Sequence, residues 1–249
     1  MIIGFIGAGN MAGAMIAHLK DKYSIVVFDP DESRTHGLHA LPSGDAVAEQ
    51  ADVVVLAVKP QMLRAAAPRV HAGKLVISIA AGKPLAALQT LMPVAAIVRA
   101  MPNLAASVGA AVTAMCAGAN VTSEQKQTAR AVLESIGIVL ELEEKHFSVF
   151  TALSGCSPAF ALLYMDALAA AGVRDGLPKN TALTIAAGAT LGAARLLQES
   201  GAHPRHLIDQ VCSPGGTTIE GMNALRARGF EAAVDAAVEA ALRKDKELQ

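Results

Sequence analysis

The chain opens with a β-branched run, Ile2-Ile3-Gly4-Phe5-Ile6, that passes directly into Gly7-Ala8-Gly9-Asn10-Met11-Ala12-Gly13 and then into a helical pattern. No other feature restricts the fold as tightly. A strand that enters a glycine turn at G-x-G-x-x-A spacing and leaves as a helix is the start of a βαβ unit that binds a dinucleotide. Gly7 permits the tight turn, Gly9 lets a pyrophosphate approach the backbone, and Ala12 lets the helix lie close to the strand. At Asn10 and Met11 the turn passes into the helix, whose N-terminus meets the phosphates with free N–H groups and the positive end of the helix dipole.

The rest of the first half repeats this alternation. A helix over residues 11–20 should turn Met11, Ala14, Met15 and Leu19 toward a sheet. Residues 24–28 form a second buried strand that ends in Asp29, at about the 20-residue spacing expected of a carboxylate that bonds a ribose 2′-hydroxyl. Asp29 favours NADH; Arg34 leaves NADPH open, because a nearby arginine accommodates a 2′-phosphate. Asp29 also reads as an ordinary strand-end turn residue before Pro30. Apolar strands follow over residues 53–58, 75–79 and 96–99, running into Ala57-Val58-Lys59-Pro60, Ala80-Ala81-Gly82 and Met101-Pro102-Asn103. In an open α/β sheet ligands bind at the strand C-termini, so these corners are the expected lining of the nicotinamide half, with simple turns as the alternative reading. Strands over 112–115 and 136–140 flank a helix over 123–135, for which Thr122 and Gln125 form a capping box. The expectation is a Rossmann-like, doubly wound parallel sheet in residues 1–146, followed by an all-α domain in 147–249.

Alanine-rich helical segments then span 158–171, 178–199, 204–211, 217–226 and 230–248, with Pro158, Pro178 and Pro204 suited to first turns. Residues 180–194 carry no charge and little side-chain bulk on any face. A helix apolar all round is buried on all sides, and about 100 residues have limited room to enclose it, so a partner subunit is expected to cover it.

Net charge is −1, without a basic run, which makes nucleic acid and anionic membrane poor partners. No signal peptide is expected ahead of a strand that begins at Ile2. The uncharged stretch of residues 100–123 holds Pro102, Asn103 and Asn120, and reads as strand and loop rather than a membrane span. Cys116, Cys156 and Cys212 lack C-x-x-C spacing and fit reduced thiols in a cytoplasmic protein. His36 with His39 and His203 with His206 lack the further ligands of a metal site, so no metal is expected.

The second informative stretch is Ser213-Pro214-Gly215-Gly216-Thr217-Thr218, with Glu220 spaced from Thr217 as a capping box. A glycine pair leading into a helix N-terminus offers N–H groups to a small carboxylate, and an interhelical turn with a good cap is the plain alternative. No lysine lies in residues 154–168 to protonate a developing alkoxide. A cyclic imine relaxes that demand, because its nitrogen is protonated before hydride arrives and a hydroxyl such as Thr218 suffices to orient it.

On these residues the chain resembles the Δ1-pyrroline-5-carboxylate reductase family, through Gly4-Phe5-Ile6-Gly7-Ala8-Gly9-Asn10-Met11, Ala57-Val58-Lys59-Pro60, Ile79-Ala80-Ala81-Gly82, Val98-Arg99-Ala100-Met101-Pro102-Asn103, Leu153-Ser154-Gly155-Cys156-Ser157-Pro158 and Val211-Cys212-Ser213-Pro214-Gly215-Gly216-Thr217-Thr218. The resemblance implies NAD(P)H-dependent reduction of 1-pyrroline-5-carboxylate to L-proline by a dimer or larger homo-oligomer joined through C-terminal helices. It implies that Ser213 to Thr218 hold the substrate carboxylate and Thr218 the ring nitrogen. Met101, Pro102 and Asn103 would shape the nicotinamide pocket, with Lys59, Pro60 and Ala80 along the cofactor. Leu104-Ala105 stand where the family has Thr-Pro, and Cys156 where it has serine. Those two changes leave open a reductase for another cyclic imino acid or short keto acid, or a silent dinucleotide-binding regulator.

Overall fold

The computed structural model describes residues 1–247. The chain divides into two compact units, one formed by residues 1–155 with the C-terminal end from Leu242, the other by residues 156–241. The change of texture at 146/147 marks the start of a helical run, and the division by contacts lies further along that run.

In the first unit the elements are β1 (Ile2–Ile6), α1 (Asn10–Leu19), β2 (Ser24–Phe28), β3 (His39–Ala40), α2 (Gly44–Gln50), β4 (Val53–Leu56), α3 (Leu63–Ala66), β5 (Leu75–Ser78), α4 (Leu85–Leu91), β6 (Ala96–Met101), β7 (Ala111–Ala117), α5 (Ser123–Glu134), β8 (Gly137–Glu141) and α6 (Phe147–Phe150). They build one sheet in the order β3-β2-β1-β4-β5-β6-β7-β8. The first six strands are parallel, which places the switch in strand order between β1 and β4.

The sheet is dominated by parallel pairing, as expected, with one departure at its far edge. β7 runs antiparallel to β6, and β8 is parallel to β7, so the last two strands oppose the other six. Only the short 3-10 turn Leu104–Val108 links β6 to β7, whereas a parallel return needs a crossover of about a dozen residues or more. α5 supplies such a crossover between β7 and β8, and its Thr122–Gln125 capping box is formed in both directions.

Alternate strand residues go to opposite faces, which is why each strand reads as a continuous apolar run. Ile3, Phe5, Val55 and Ile77 pack with Met15 and Leu19 of α1 and Val132 and Leu133 of α5. Ile6, Val54, Leu56 and Val76 pack with Val47 of α2, Leu63 of α3 and Leu88 of α4. Full burial of each such side chain contributes about 1.5–3 kcal/mol, which holds both helix layers against the sheet.

The helical run continues from α6 through a π-helical turn, Thr151–Cys156, into α7 (Ser157–Arg174). The second unit holds α7, α8 (Lys179–Ser200), α9 (Pro204–Val211), α10 (Thr217–Ala227) and most of α11 (Phe230–Glu247). The expected last helix over 230–248 agrees as far as Glu247; Leu248 lies outside the described residues. Pro158 and Pro204 occupy first turns, while Pro178 is the cap residue just before α8.

α7 and α8 pack together through Ala169, Ala182 and Ala186, with Met165 and Leu183 beside them. As expected of a helix that its own domain cannot enclose, α8 is only partly covered in the single chain. Ile185, Leu191, Leu196 and Leu197 are exposed, as are Leu162, Leu163 and Leu168 of α7, because no further helix among the described residues covers them. The run 144–174, rather than the uncharged stretch 100–123, has the length and composition to cross a membrane. Residues 100–123 are strand, 3-10 turn and loop, as expected.

Candidate active site

The glycine turn lies between β1 and α1, beside the switch in strand order. Gly7 has φ +92°, and a Cβ there would come within 2.6 Å of the Ala57 carbonyl oxygen. Only glycine satisfies both demands. Gly9 differs, since it has φ −73° and a Cβ on it meets nothing within 4 Å. It is the cap residue of α1, and no side chain caps that helix. The N–H groups of the first turn, from Asn10 and Met11 onward, therefore face open space that an anion can enter.

Ladder bonds carry the adjacent corners into line with this turn. Gly7 N donates to Phe28 O at 2.8 Å, Ala57 N to Ile6 O at 2.8 Å, and Ile79 N to Leu56 O at 3.1 Å. The register is continuous from Ile6 to Leu56, Ser78 and Arg99. Ala57, Val58, Lys59, Pro60, Ala80, Met101, Pro102 and Asn103 thus share one edge of the sheet with Gly7 and Gly9, at the carboxyl ends of the parallel strands. Lys59 is exposed at the cap position of the 3-10 turn Pro60–Met62, whereas Ala80, Pro102 and Asn103 are buried.

Asp29 is buried beneath the turn. Its carboxylate accepts from Ala8 N at 2.8 Å through Oδ2 and from Asp31 N at 2.9 Å through Oδ1. Arg34 reaches it only at 3.9 Å and lies closer to Asp31, at 3.1 Å. The acid and the arginine singled out from the sequence are thus brought together, with Asp31 between them.

Two residues beyond those expected from the sequence, Ser154 and Glu144, support the Met101-Pro102-Asn103 corner. The Asn103 amide donates to the Ser154 carbonyl at 3.0 Å and to the Ser154 hydroxyl at 3.2 Å, and that hydroxyl donates to Val112 O at 3.2 Å. Ser154 lay inside the Leu153-Ser154-Gly155 motif, but its partner is far away in sequence. Glu144 is the other: its Oε1 accepts from Arg99 at 2.8 Å and from Leu85 N at 2.7 Å. Arg99 also lies over the Phe147 ring, 4.4 Å from its centroid. Burial pushes the neighbouring Cys116 thiol up to about 11, helped by the Glu144 charge and opposed by Arg99.

In the second unit, Ser213 to Gly216 form a turn closed by Gly216 N donating to Ser213 O at 3.0 Å. Pro214 in second place and Gly215 at φ +66° in third give the type II pattern. The capping box expected from Thr217 and Glu220 is absent, because Gly216 takes the cap position and Thr217 becomes the first helical residue. α10 consequently has no side-chain cap, and its first N–H groups stay open toward the loop. Ser213, Pro214 and Gly215 are exposed, and Thr218 is half-buried. Among the described residues, no group of three His, Cys, Asp or Glu side chains is placed to hold a metal ion.

Known proteins resemble both units. The family profile described as pyrroline-5-carboxylate reductase dimerisation matches residues 144–248, and the one described as NADP oxidoreductase, coenzyme F420-dependent, matches residues 2–82. The pyrroline-5-carboxylate reductase of Glycine max is 38% identical over 99% of this chain and 95% of its own length. The chain belongs to the pyrroline-5-carboxylate reductase family. The Streptococcus pyogenes enzyme structure of that name is 36% identical, covers 99% of this chain and 98% of its own, and superposes with a TM-score of 0.90. The Plasmodium falciparum pyrroline carboxylate reductase, with NADP bound, is 29% identical with a TM-score of 0.87, covering 99% of this chain and 97% of its own.

Proposed function

We propose that this protein reduces 1-pyrroline-5-carboxylate to L-proline with a nicotinamide dinucleotide as hydride donor, NADH in preference to NADPH, as the last step of proline biosynthesis. The observation that carries the reading is family membership over the whole chain together with a glycine turn of the required shape. The residues fit a dinucleotide: Gly7 closes the turn, and the open space at Gly9 before an uncapped α1 admits a pyrophosphate.

When bound, the dinucleotide supplies a hydride at the nicotinamide ring. Asn10 and Met11 offer backbone N–H groups to its phosphates, and Asp29 sits where a ribose hydroxyl is read. Ala57, Val58, Lys59, Pro60, Ala80, Met101, Pro102 and Asn103 line the path to the ring. Ser213, Pro214, Gly215, Gly216 and Thr217 hold the substrate carboxylate at the open N-terminus of α10. Thr218 orients the protonated ring nitrogen, which takes up the C=N electron pair as hydride adds to carbon, so no further proton donor is required at that step.

The two functional halves are residues 1–146 and 147–249, and the second makes the homodimer. Its partner covers the exposed apolar faces of α7 and α8, which assigns the 144–174 run to a protein surface rather than to lipid. The three cysteines form no disulfide, which supports a cytoplasmic enzyme. The test is a panel of 1-pyrroline-5-carboxylate, other cyclic imino acids and short keto acids with NADH and NADPH, with the product identified by chromatography. Proline formed from the first substrate supports the reading; turnover confined to another member, or none with either cofactor, overturns it.

A further inference from the structure

The β2 end contains an arrangement that the bare acid-versus-arginine rule does not anticipate. Three carboxylates and one guanidinium lie between Asp29 and Arg34: Asp29, Asp31, Glu32 and Arg34. Arg34 is the group suited to a 2′-phosphate, and its side chain is half exposed. Its Nε lies 3.1 Å from Asp31 Oδ2, and its Nη1 lies 3.9 Å from Asp29 Oδ2. Asp31 is itself fixed, because its Oδ1 accepts from Ser33 N at 3.2 Å and from the Ser33 hydroxyl at 2.6 Å. The bond from Ser33 holds the Asp31 carboxyl below its ordinary range, so it stays charged wherever the enzyme works.

From this geometry we infer that Asp31 is a specificity-determining residue: by engaging Arg34 it withholds the guanidinium from a 2′-phosphate and turns the site toward NADH. This rests on the dinucleotide reading above and adds the residue that sets the choice. Asp29 is less well placed for that task. Each of its oxygens already accepts one backbone N–H, from Ala8 or Asp31, and it approaches Arg34 at 3.9 Å against 3.1 Å for Asp31. A 2′-phosphate entering here meets one arginine whose Nε is already engaged, amid three negative charges.

Asp31→Asn tests this directly, since asparagine keeps an oxygen for Ser33 N while removing the charge that holds Arg34. Dissociation constants of NADH and NADPH, read by nucleotide fluorescence without substrate, are the measurement. The expected result is NADPH binding tightened by about tenfold, with NADH changed by less than about threefold. Adding Arg34→Ala to Asp31→Asn should abolish the gain. An unchanged NADPH-to-NADH ratio in Asp31→Asn overturns the inference while leaving the reductase reading intact. So does a gain that persists without Arg34, because it would come from the lost charge alone. A wild-type protein that binds neither dinucleotide overturns the reductase reading, and this inference with it.

Discussion

The Asn103 side chain, buried at the end of β6, donates both to the carbonyl and to the hydroxyl of Ser154 in the π-helical turn. One amide thus ties the corner assigned to the nicotinamide to the start of the helical run. π-helical turns recur at functional sites because they misalign a helix locally and re-aim its groups. Asn103→Ala should cost about 1–3 kcal/mol in urea unfolding, since it leaves a buried carbonyl without its donor. Ser154→Ala keeps the carbonyl and should cost about 1 kcal/mol. Equal costs would show that the hydroxyl, rather than the carbonyl, anchors the corner.

Gly7 and Gly9 should separate folding from binding. Gly7→Ala forces a side chain into a φ of +92° and against Ala57 O, and should both destabilise the protein and abolish dinucleotide binding. Gly9→Ala adds its methyl to open space, so stability should stay within about 0.5 kcal/mol while NADH affinity falls sharply. Thermal melts with fluorescence titration check both.

Cys116 gives a pH signature. Its folded pKa stands at about 11 against a reference of 9.0, so the unfolded chain loses this proton first as pH rises. Its contribution to stability is complete below pH 9 and is lost from there toward pH 11. Wild type should therefore lose stability relative to Cys116→Ala across that window in urea unfolding. A constant difference would show that the thiol titrates normally.

Leu163 is 70% exposed in the single chain. On a monomer, Leu163→Glu would be nearly neutral; on a dimer face it introduces an uncompensated charge. Sedimentation should show the wild type as a dimer or larger and the variant shifted toward monomer, with a melting temperature that depends on concentration.

Much of this was legible in the sequence because it rests on local pattern. The strands declared themselves through unbroken runs such as Val53 to Leu56, and the glycine turn through the residues it excludes. The reversal of β7 was not, because strand direction depends on the length of the connection after Met101 rather than on the strand's own residues. The short α2, α3 and α4 and the two-residue β3 carry too few periods to register. At the second loop, Thr217 and Glu220 had capping-box spacing, but the helix begins one residue earlier than that pattern requires. The Asn103–Ser154 and Arg99–Glu144 pairs join residues distant in sequence and became visible only with the fold. The apolar α8 was legible as a helix that needs cover, although the cover does not come from its own chain.

The most direct measurement is kcat/KM for NADH oxidation with 1-pyrroline-5-carboxylate, in wild type and Thr218→Ala, alongside NADH affinity measured without substrate. The account predicts turnover to proline by the wild type and a loss of about a hundredfold in the variant, with NADH affinity kept within about twofold. No turnover by the wild type, or equal loss of turnover and NADH binding in the variant, would contradict it.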